Sequence, residues 1–368
     1  MRIRSIQSQA LQIPLKFKFA QSNNTATCSS SLLIELHTQG GIKGWGECCP
    51  RLYVTGESIH SVMQDLKQIE PQLLETHFES LADIRQFLNT QLPLPIGLST
   101  TCGLELALLD AWSQSHNRPL VQVLEGDPNY VAQYSGILPQ GPIQQQAKVL
   151  EQLARFQFKT LKIKVDNNLE HSLKLIRLIR ANYFPAVRLQ VDANCSWTYQ
   201  DALRQIPVLL ENGVEVFEQL FPAGQILDFQ RITQKFGHLT KIMADESLTS
   251  YGTALFLLYN KVCNHFNLKL SKNGGFWNTL NLYQLIRNQG GTCQLGAHFG
   301  ETSILTAAGL ILASKAQEFT ALEGGYGDYL LENDIVEPSL KFDQRAEIPL
   351  ATTLTHAGWI PQKMPAFS

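Results

Sequence analysis

The feature that most constrains this chain is an alternation that begins near Val131 and runs for about 190 residues. Eight short apolar runs recur: Gln133–Leu138, Thr160–Val165, Val187–Asp192, Val214–Gln219, Lys241–Asp245, Phe266–Leu270, Thr292–Ala297 and Thr320–Glu323. Between them lie segments such as Glu170–Asn182, Tyr199–Glu211 and Phe276–Asn288, with apolar residues at helical spacing. The runs are continuous rather than alternating, as expected for strands buried on both faces. Eight β/α units in succession predict a parallel (β/α)₈ barrel of the TIM type.

The residues before the barrel follow a different plan. Arg2–Ile13, Ser29–His37 and Ile42–Cys48 read as strands, and the second alternates apolar with polar residues. Ile59–Glu70, Leu81–Leu88 and Thr101–Ser113 then read as helices. Strands followed by helices predict an α+β unit. We therefore expect a cap over residues 1–127, a barrel over 128–325, and a tail over 326–368 that packs back on the cap.

Charge and cysteine content narrow the setting. Lys and Arg total 30 against 32 Asp and Glu, a net charge of −2. Such a chain has no electrostatic reason to bind nucleic acid or an anionic membrane. Its seven cysteines are scattered and form no CxxC pair, which suits a reducing cytoplasm and not a disulfide framework or a zinc site. No apolar run approaches the roughly 18 residues that span a bilayer. The expected partner is a small molecule, in a cytoplasmic homo-oligomer.

In a barrel of this kind catalytic groups sit at the C-terminal ends of the strands. The second strand ends Lys162-Ile163-Lys164, and alternation puts both lysines on one side, toward the barrel interior or mouth. Buried there, they are costly unless something opposes them. The third, fourth and fifth strands end on Asp192, Glu218 and Asp245, at intervals of 26 and 27 residues. That is one β/α unit each time, so three carboxylates come from adjacent strand ends at one height. They would repel one another without a cation. A hard divalent ion fits such oxygen ligands, Mg²⁺ first and Mn²⁺ as its alternative. No Cys or His joins the set, which disfavours zinc.

Lys164 and Lys269, on the second and sixth strands, then lie on opposite sides of the ion. A lysine beside a metal and a second ammonium has a lowered pKa and can act as a base near neutrality. An ion on the substrate carboxylate would stabilise the enediolate left when the α-proton is removed. Two opposed lysines let a proton leave one face and return on the other.

These residues resemble the enolase superfamily, and within it the muconate-lactonizing-enzyme subgroup, over nearly the whole chain. The resemblance rests on Lys162-Ile163-Lys164, Asp192-Ala193-Asn194, Glu218-Gln219, Asp245-Glu246-Ser247 and Leu268-Lys269-Leu270-Ser271-Lys272-Asn273-Gly274-Gly275. Gly44-Trp45-Gly46-Glu47 and the stretch from Glu105 to Ala111 resemble the capping domain of that family. The resemblance implies Asp192, Glu218 and Asp245 as metal ligands and Lys164 and Lys269 as the acid/base pair. It implies Lys162 as support for the substrate carboxylate, and Glu301 as a partner of substrate or of a catalytic lysine. The mandelate-racemase subgroup carries a KxH where this chain has Lys164 and fits worse, although His298 stands near strand seven.

The subgroup includes muconate cycloisomerases, o-succinylbenzoate synthases, and racemases or epimerases of acyl amino acids and dipeptides. The stretch Pro50-Arg51-Leu52-Tyr53-Val54-Thr55-Gly56-Glu57-Ser58 is similar to a cap loop of dipeptide epimerases, which makes Arg51 and Tyr53 candidates for the pocket wall. The Asp-x-Asp that those enzymes carry on strand eight is absent; here Glu323 alone could pair with a cationic group. Gln219-Leu220 stands where the family has Gln-Pro, a local packing change. The reading is Mg²⁺-dependent α-proton abstraction from a carboxylate, by a racemase or epimerase of an amino-acid derivative or dipeptide. The alternatives are a muconate-type cycloisomerase, an o-succinylbenzoate synthase, and a barrel that binds a ligand without turnover.

Plainer readings stand beside these. Each acid taken singly reads equally well as a helix N-cap in a βα loop. Lys162 could be a stem snorkelling at the rim. Lys272 reads as a surface or loop residue, Glu47 as a cap on the meander, and Glu105 and Asp110 as anchors of the cap helix. His298 reads as a satisfied loop histidine more readily than as a base.

Overall fold

The computed structural model describes residues 1–21, 24–93, 95–352, 354 and 356–359, without the side chains of 17–21, 24–26 and 352. The end of the tail, 360–368, lies outside the described residues.

The chain opens with strands β1 (Ile3–Leu11), β2 (Pro14–Gln21), β3 (Asn24–Cys28), β4 (Ser31–Thr38) and β5 (Lys43–Cys48). An antiparallel sheet of order β1-β4-β5 is joined by a separate β2-β3 hairpin, which the strand pattern does not announce. The alternation in β4 predicts one wet face, yet Leu32 to Leu36 are all buried. Leu33 faces one apolar cluster, and Leu32, Ile34 and Leu36 face another. Glu35 tolerates this position because Lys43 reaches it at 2.6 Å and His37 at 3.0 Å. Helix Leu98–Ser115 lies across the sheet against β5. A side chain at Gly44 or Gly46 would run into the backbone of Ala107 or Gly103, so the glycines set the approach.

The barrel follows. After β6 (Val131–Gln133) come β7 (Gly136–Leu138), β8 (Thr160–Lys164), β9 (Arg188–Asp192), β10 (Val214–Glu218), β11 (Lys241–Ala244), β12 (His265–Leu268), β13 (Thr292–Leu295) and β14 (Phe319–Leu322). β7 to β14 pair in chain order as one parallel sheet. A parallel bridge between Tyr134 and Leu322 closes the ring. The connecting helices carry their own start signals. Thr198 caps helix Tyr199–Glu211 by accepting from Asp201 N at 3.1 Å, while the Asp201 side chain returns to Thr198 N at 3.0 Å. That helix buries Ala202, Ile206 and Leu209 on one face.

The first strand and the tail differ from expectation together. The single run read over Gln133–Leu138 is divided: β6 leaves the ring and pairs antiparallel with β15 (Glu347–Pro349) of the tail. The tail does not pack on the cap alone. Among the described residues no α-helix follows β14, so the outer face beside β7 and β14 needs cover. The tail supplies it, with Phe342 packed on Tyr134, Phe156, Phe158 and Tyr326. The tail also meets the cap, as expected: Leu331 bridges Leu15 antiparallel, and farther on Trp359 donates from Nε1 to Leu106 O at 2.9 Å.

Candidate active site

Barrel register assembles the site. Lys164 is paired with Asp192 across β8 and β9, and Asp192 with Glu218 across β9 and β10. Asp245 follows β11, and its N–H donates to Gln219 Oε1 at 2.8 Å, which ties the ends of the fourth and fifth barrel strands together. Lys269 follows β12, halfway round the ring from β8. The two lysines therefore stand across the mouth from each other.

The three carboxylates share one pattern. In each, one oxygen is held by the scaffold and the other carries a lysine. Asp192 Oδ1 accepts from Asn194 N at 2.9 Å, while Oδ2 meets Lys162 and Lys164, each at 3.2 Å. Glu218 Oε1 accepts from Asn267 Nδ2 at 2.8 Å, while Oε2 meets Lys162 at 2.7 Å. Asp245 Oδ1 accepts from Lys272 Nζ at 2.7 Å, while Oδ2 meets Lys269 at 2.5 Å. Lys164 also donates to Asn194 Oδ1 at 2.6 Å. Among the described residues no three acidic, His or Cys side chains form a ready metal cage, because lysine ends stand on the oxygens. The donor set nevertheless fits a hard divalent ion. Three oxygens from adjacent strand ends are each backed by a fixed partner oxygen, with no soft ligand among them.

Burial opposes ionisation throughout. It wins at Glu218, which burial and the nearby Asp192 and Glu323 raise well above the usual range despite Lys162, and loses to the lysines at the other two acids. Lys164 and Lys162 outweigh burial at Asp192 and hold its carboxyl below the usual range. Lys269, Lys272 and Lys162 do the same at Asp245 and hold it well below. Burial lowers Lys162, but Glu218, Glu323 and Asp192 around it win and raise it well above its ordinary value. Lys269 is likewise raised, its pair with Asp245 overcoming burial. A carboxylate that bears its full charge on an ammonium stabilises the protonated form.

A cavity of ≈ 380 Å³ joins these groups. Lys162, Lys164, Asp192, Asp245, Glu246 and Lys269 line its charged side. Its other walls are largely apolar, including Ile137, Leu153, Phe156, Phe299, Tyr326 and Phe342. Tyr53 stands in the wall and is two-thirds exposed. His298 and Glu301 are also in the wall. Burial, with Lys269 and Arg51 nearby, holds the imidazole of His298 well below its usual range. Burial pushes Glu301 up to about 8, and its Oε1 accepts from His298 N at 2.5 Å rather than from a lysine.

Two residues expected to contact substrate, Arg51 and Glu323, also hold partners within the protein, and Glu323 lines the cavity. The Arg51 guanidinium donates to the carbonyls of Ser30, Pro50 and Phe299 at 2.7, 3.0 and 2.8 Å, tying the cap loop to the loop after β13. Glu323 faces Lys162 at 3.0 Å and accepts from Gln294 Nε2 at 2.8 Å, so its charge is already met.

Other expectations are overturned. Lys272 is no surface residue: it is fully buried, because the one-turn helix Leu270–Asn273 folds it back under the strand end. Glu47 does not cap the meander. It crosses to the barrel and accepts from Thr302 N, Thr302 Oγ1 and Leu305 N at the start of helix Ser303–Ala316. Glu105 does anchor the cap helix, as expected, accepting from Phe276 N at 2.5 Å and Trp277 N at 3.2 Å on a barrel helix. Sequence reasoning missed the supports Asn194, Asn267 and Gln219. The one available signal was that amide side chains sit in strand ends that are otherwise buried and apolar. Glu246, raised by burial and by Asp245 and Asp192 to about 7, was quoted only as part of a motif.

The fold and the mouth define an enolase-type catalytic barrel under an α+β cap. Residues 144–351 match the family model described as "Enolase C-terminal domain-like", and residues 5–125 match "Mandelate racemase / muconate lactonizing enzyme, N-terminal domain". The chain belongs to the mandelate racemase/muconate lactonizing enzyme family of the enolase superfamily. It is 27% identical over 323 residues to a hydrophobic dipeptide epimerase of Enterococcus faecalis, across 87% of this chain and 89% of that protein. It is 28% identical over 320 residues to an L-Ala-D/L-Glu epimerase of Bacillus subtilis, across 86% of each. The solved dipeptide epimerase of Enterococcus faecalis, complexed with Mg and the dipeptide L-Leu-L-Tyr, superposes with a TM-score of 0.85 at 25% identity. That match covers 98% of this chain and 99% of the other.

Proposed function

We propose that this protein is a Mg²⁺-dependent racemase or epimerase acting on an amino-acid derivative or dipeptide with an apolar substituent. One observation carries the reading: Lys164 and Lys269 stand on opposite sides of a mouth whose floor is three carboxylates. The apolar walls of the cavity support the nature of the substituent. The Enterococcus faecalis relative, a hydrophobic dipeptide epimerase, points the same way.

Asp192, Glu218 and Asp245 would hold the ion through the oxygens that now carry lysines, and Mn²⁺ would substitute for Mg²⁺. The ion supplies charge neutralisation at the substrate carboxylate, so that the charge left by the departing α-proton can spread onto it. Lys162, buried among Asp192, Glu218 and Glu323, is placed to meet the substrate carboxylate. One of Lys164 and Lys269 accepts the α-proton at Nζ while the other, as an ammonium, returns one to the opposite face. The exchange of roles accounts for both directions of the reaction. Tyr53, on the loop held by Arg51, borders the mouth.

The test is solvent deuterium incorporation at Cα, followed by NMR across dipeptides and N-acyl amino acids with added Mg²⁺. Exchange abolished by EDTA and restored by Mg²⁺ is expected. No exchange across the panel, with lactone formed from cis,cis-muconate instead, would replace this reading with the cycloisomerase.

A further inference from the structure

Each carboxylate of the mouth has one oxygen fixed from behind. For Asp192 the holder is a backbone N–H and for Glu218 an amide side chain. For Asp245 it is an ammonium, that of Lys272. Lys272 has no exposed surface and takes no part in the cavity wall, so it does not touch substrate. Its three N–H donors are all used: Asp245 Oδ1 at 2.7 Å, Asp245 O at 2.7 Å and Asn267 O at 2.8 Å. Asn267 is the residue that holds Glu218. One buried ammonium therefore fixes the fifth barrel strand end directly and the holder of the fourth-strand acid indirectly. The turn that places it is shaped by Gly274 and Gly275, both at positive φ, where a side chain on Gly275 would strike Glu105.

We infer that Lys272 is the positioning residue of the metal site: by pinning Asp245 Oδ1 and the Asn267 backbone, it keeps Asp245 and Glu218 convergent for a divalent ion. The inference rests on Asp245 and Glu218 being metal ligands. It also makes a prediction of definite sign. If Lys272 acted only through charge, removing a cation beside a metal would tighten binding. As a positioning group its removal loosens binding.

The experiment titrates Mn²⁺ into the full chain and follows the free ion by electron paramagnetic resonance. Circular dichroism confirms folding of Lys272→Met, Lys272→Gln and Lys272→Ala. We expect the Mn²⁺ dissociation constant to rise at least tenfold in Lys272→Met and less in Lys272→Gln, which keeps two donors. In Lys272→Ala, n-propylammonium should recover at least threefold, and n-propanol should not. A folded variant that binds Mn²⁺ as tightly as the unaltered chain, or more tightly, overturns the inference. So does failure of all three variants to fold, which would make Lys272 a determinant of the fold instead. If the unaltered chain binds no Mn²⁺, the ligand assignment itself fails, an outcome separate from equal binding by chain and variant.

Discussion

Two regions of this molecule bury carboxylates, and they treat them in opposite ways. At the seam between cap and barrel, Glu47 and Glu105 meet backbone N–H groups at helix starts, and Glu47 also meets a hydroxyl. Asp110 accepts from Trp45 N at 2.8 Å and Trp359 N at 2.6 Å, which joins cap helix, cap strand and tail. At the mouth, Asp192 and Asp245 meet ammonium groups. Burial raises the seam acids, Glu47 to about 7, Glu105 to about 8 and Asp110 to about 7. Asp192 and Asp245 at the mouth are lowered because full charges outweigh the same burial, whereas at Glu218 burial and the neighbouring carboxylates outweigh Lys162 and hold it well above the usual range. Dipoles are enough to hold two units together, whereas a buried acid is held in its charged form only where counter-charges stand on it, as at Asp192 and Asp245.

The largest effect should come from the mouth. Lys164→Ala and Lys269→Ala should each slow α-proton exchange by about 10²–10⁴-fold in at least one stereochemical direction, with circular dichroism and melting little changed. Exchange measured separately on each enantiomer or epimer checks this. Full activity in both variants would break the assignment of the bases.

The seam should answer in the reverse sense. Glu105→Ala leaves the N–H groups of Phe276 and Trp277 buried without an acceptor, a loss of about 1–3 kcal/mol read from urea unfolding. Activity per folded molecule should hold. A variant equally stable but inactive would put Glu105 in the mechanism.

pH separates the two regions without mutation. The seam acids have folded-state pKa values above their unfolded ones. Their stabilising contribution is complete below about pH 4, where the unfolded chain is also protonated. It is lost as pH rises through about 7 to 8. Asp192 and Asp245 have depressed values, so their contribution is present above the unfolded value and lost as pH falls through the folded one, in acid. Unfolding followed from pH 3 to 9 should decline at both ends. In Glu105→Gln the alkaline decline should flatten while the acid one stays.

The smallest effect belongs to charge pairs outside both regions. Glu170 and Lys174, an exposed pair at 2.7 Å, should show no coupling above measurement error in a double-mutant cycle. A larger value would mean that the contrast lies in charge itself and not in its burial.

Much of this was legible in the residue order, for a physical reason. Period and interval are local: eight buried strands each need a continuous apolar run, and a strand end recurs once per β/α unit. The 26- and 27-residue intervals thus brought Asp192, Glu218 and Asp245 together before any coordinates. The alternation of Lys162 and Lys164 placed both on one face. Local pattern alone determined the barrel, the acids and the opposed lysines.

What only the tertiary structure decided concerns partners distant in sequence. No spacing tells that Lys272 turns inward, that Glu47 crosses to the helix beginning at Ser303, or that Lys162 and Gln294 absorb Glu323. Nor does any spacing tell that the tail covers the barrel face that lacks a helix. Each depends on which buried polar group finds which complement once the chain has closed. A carboxylate looks the same in sequence whether a dipole or an ammonium will meet it.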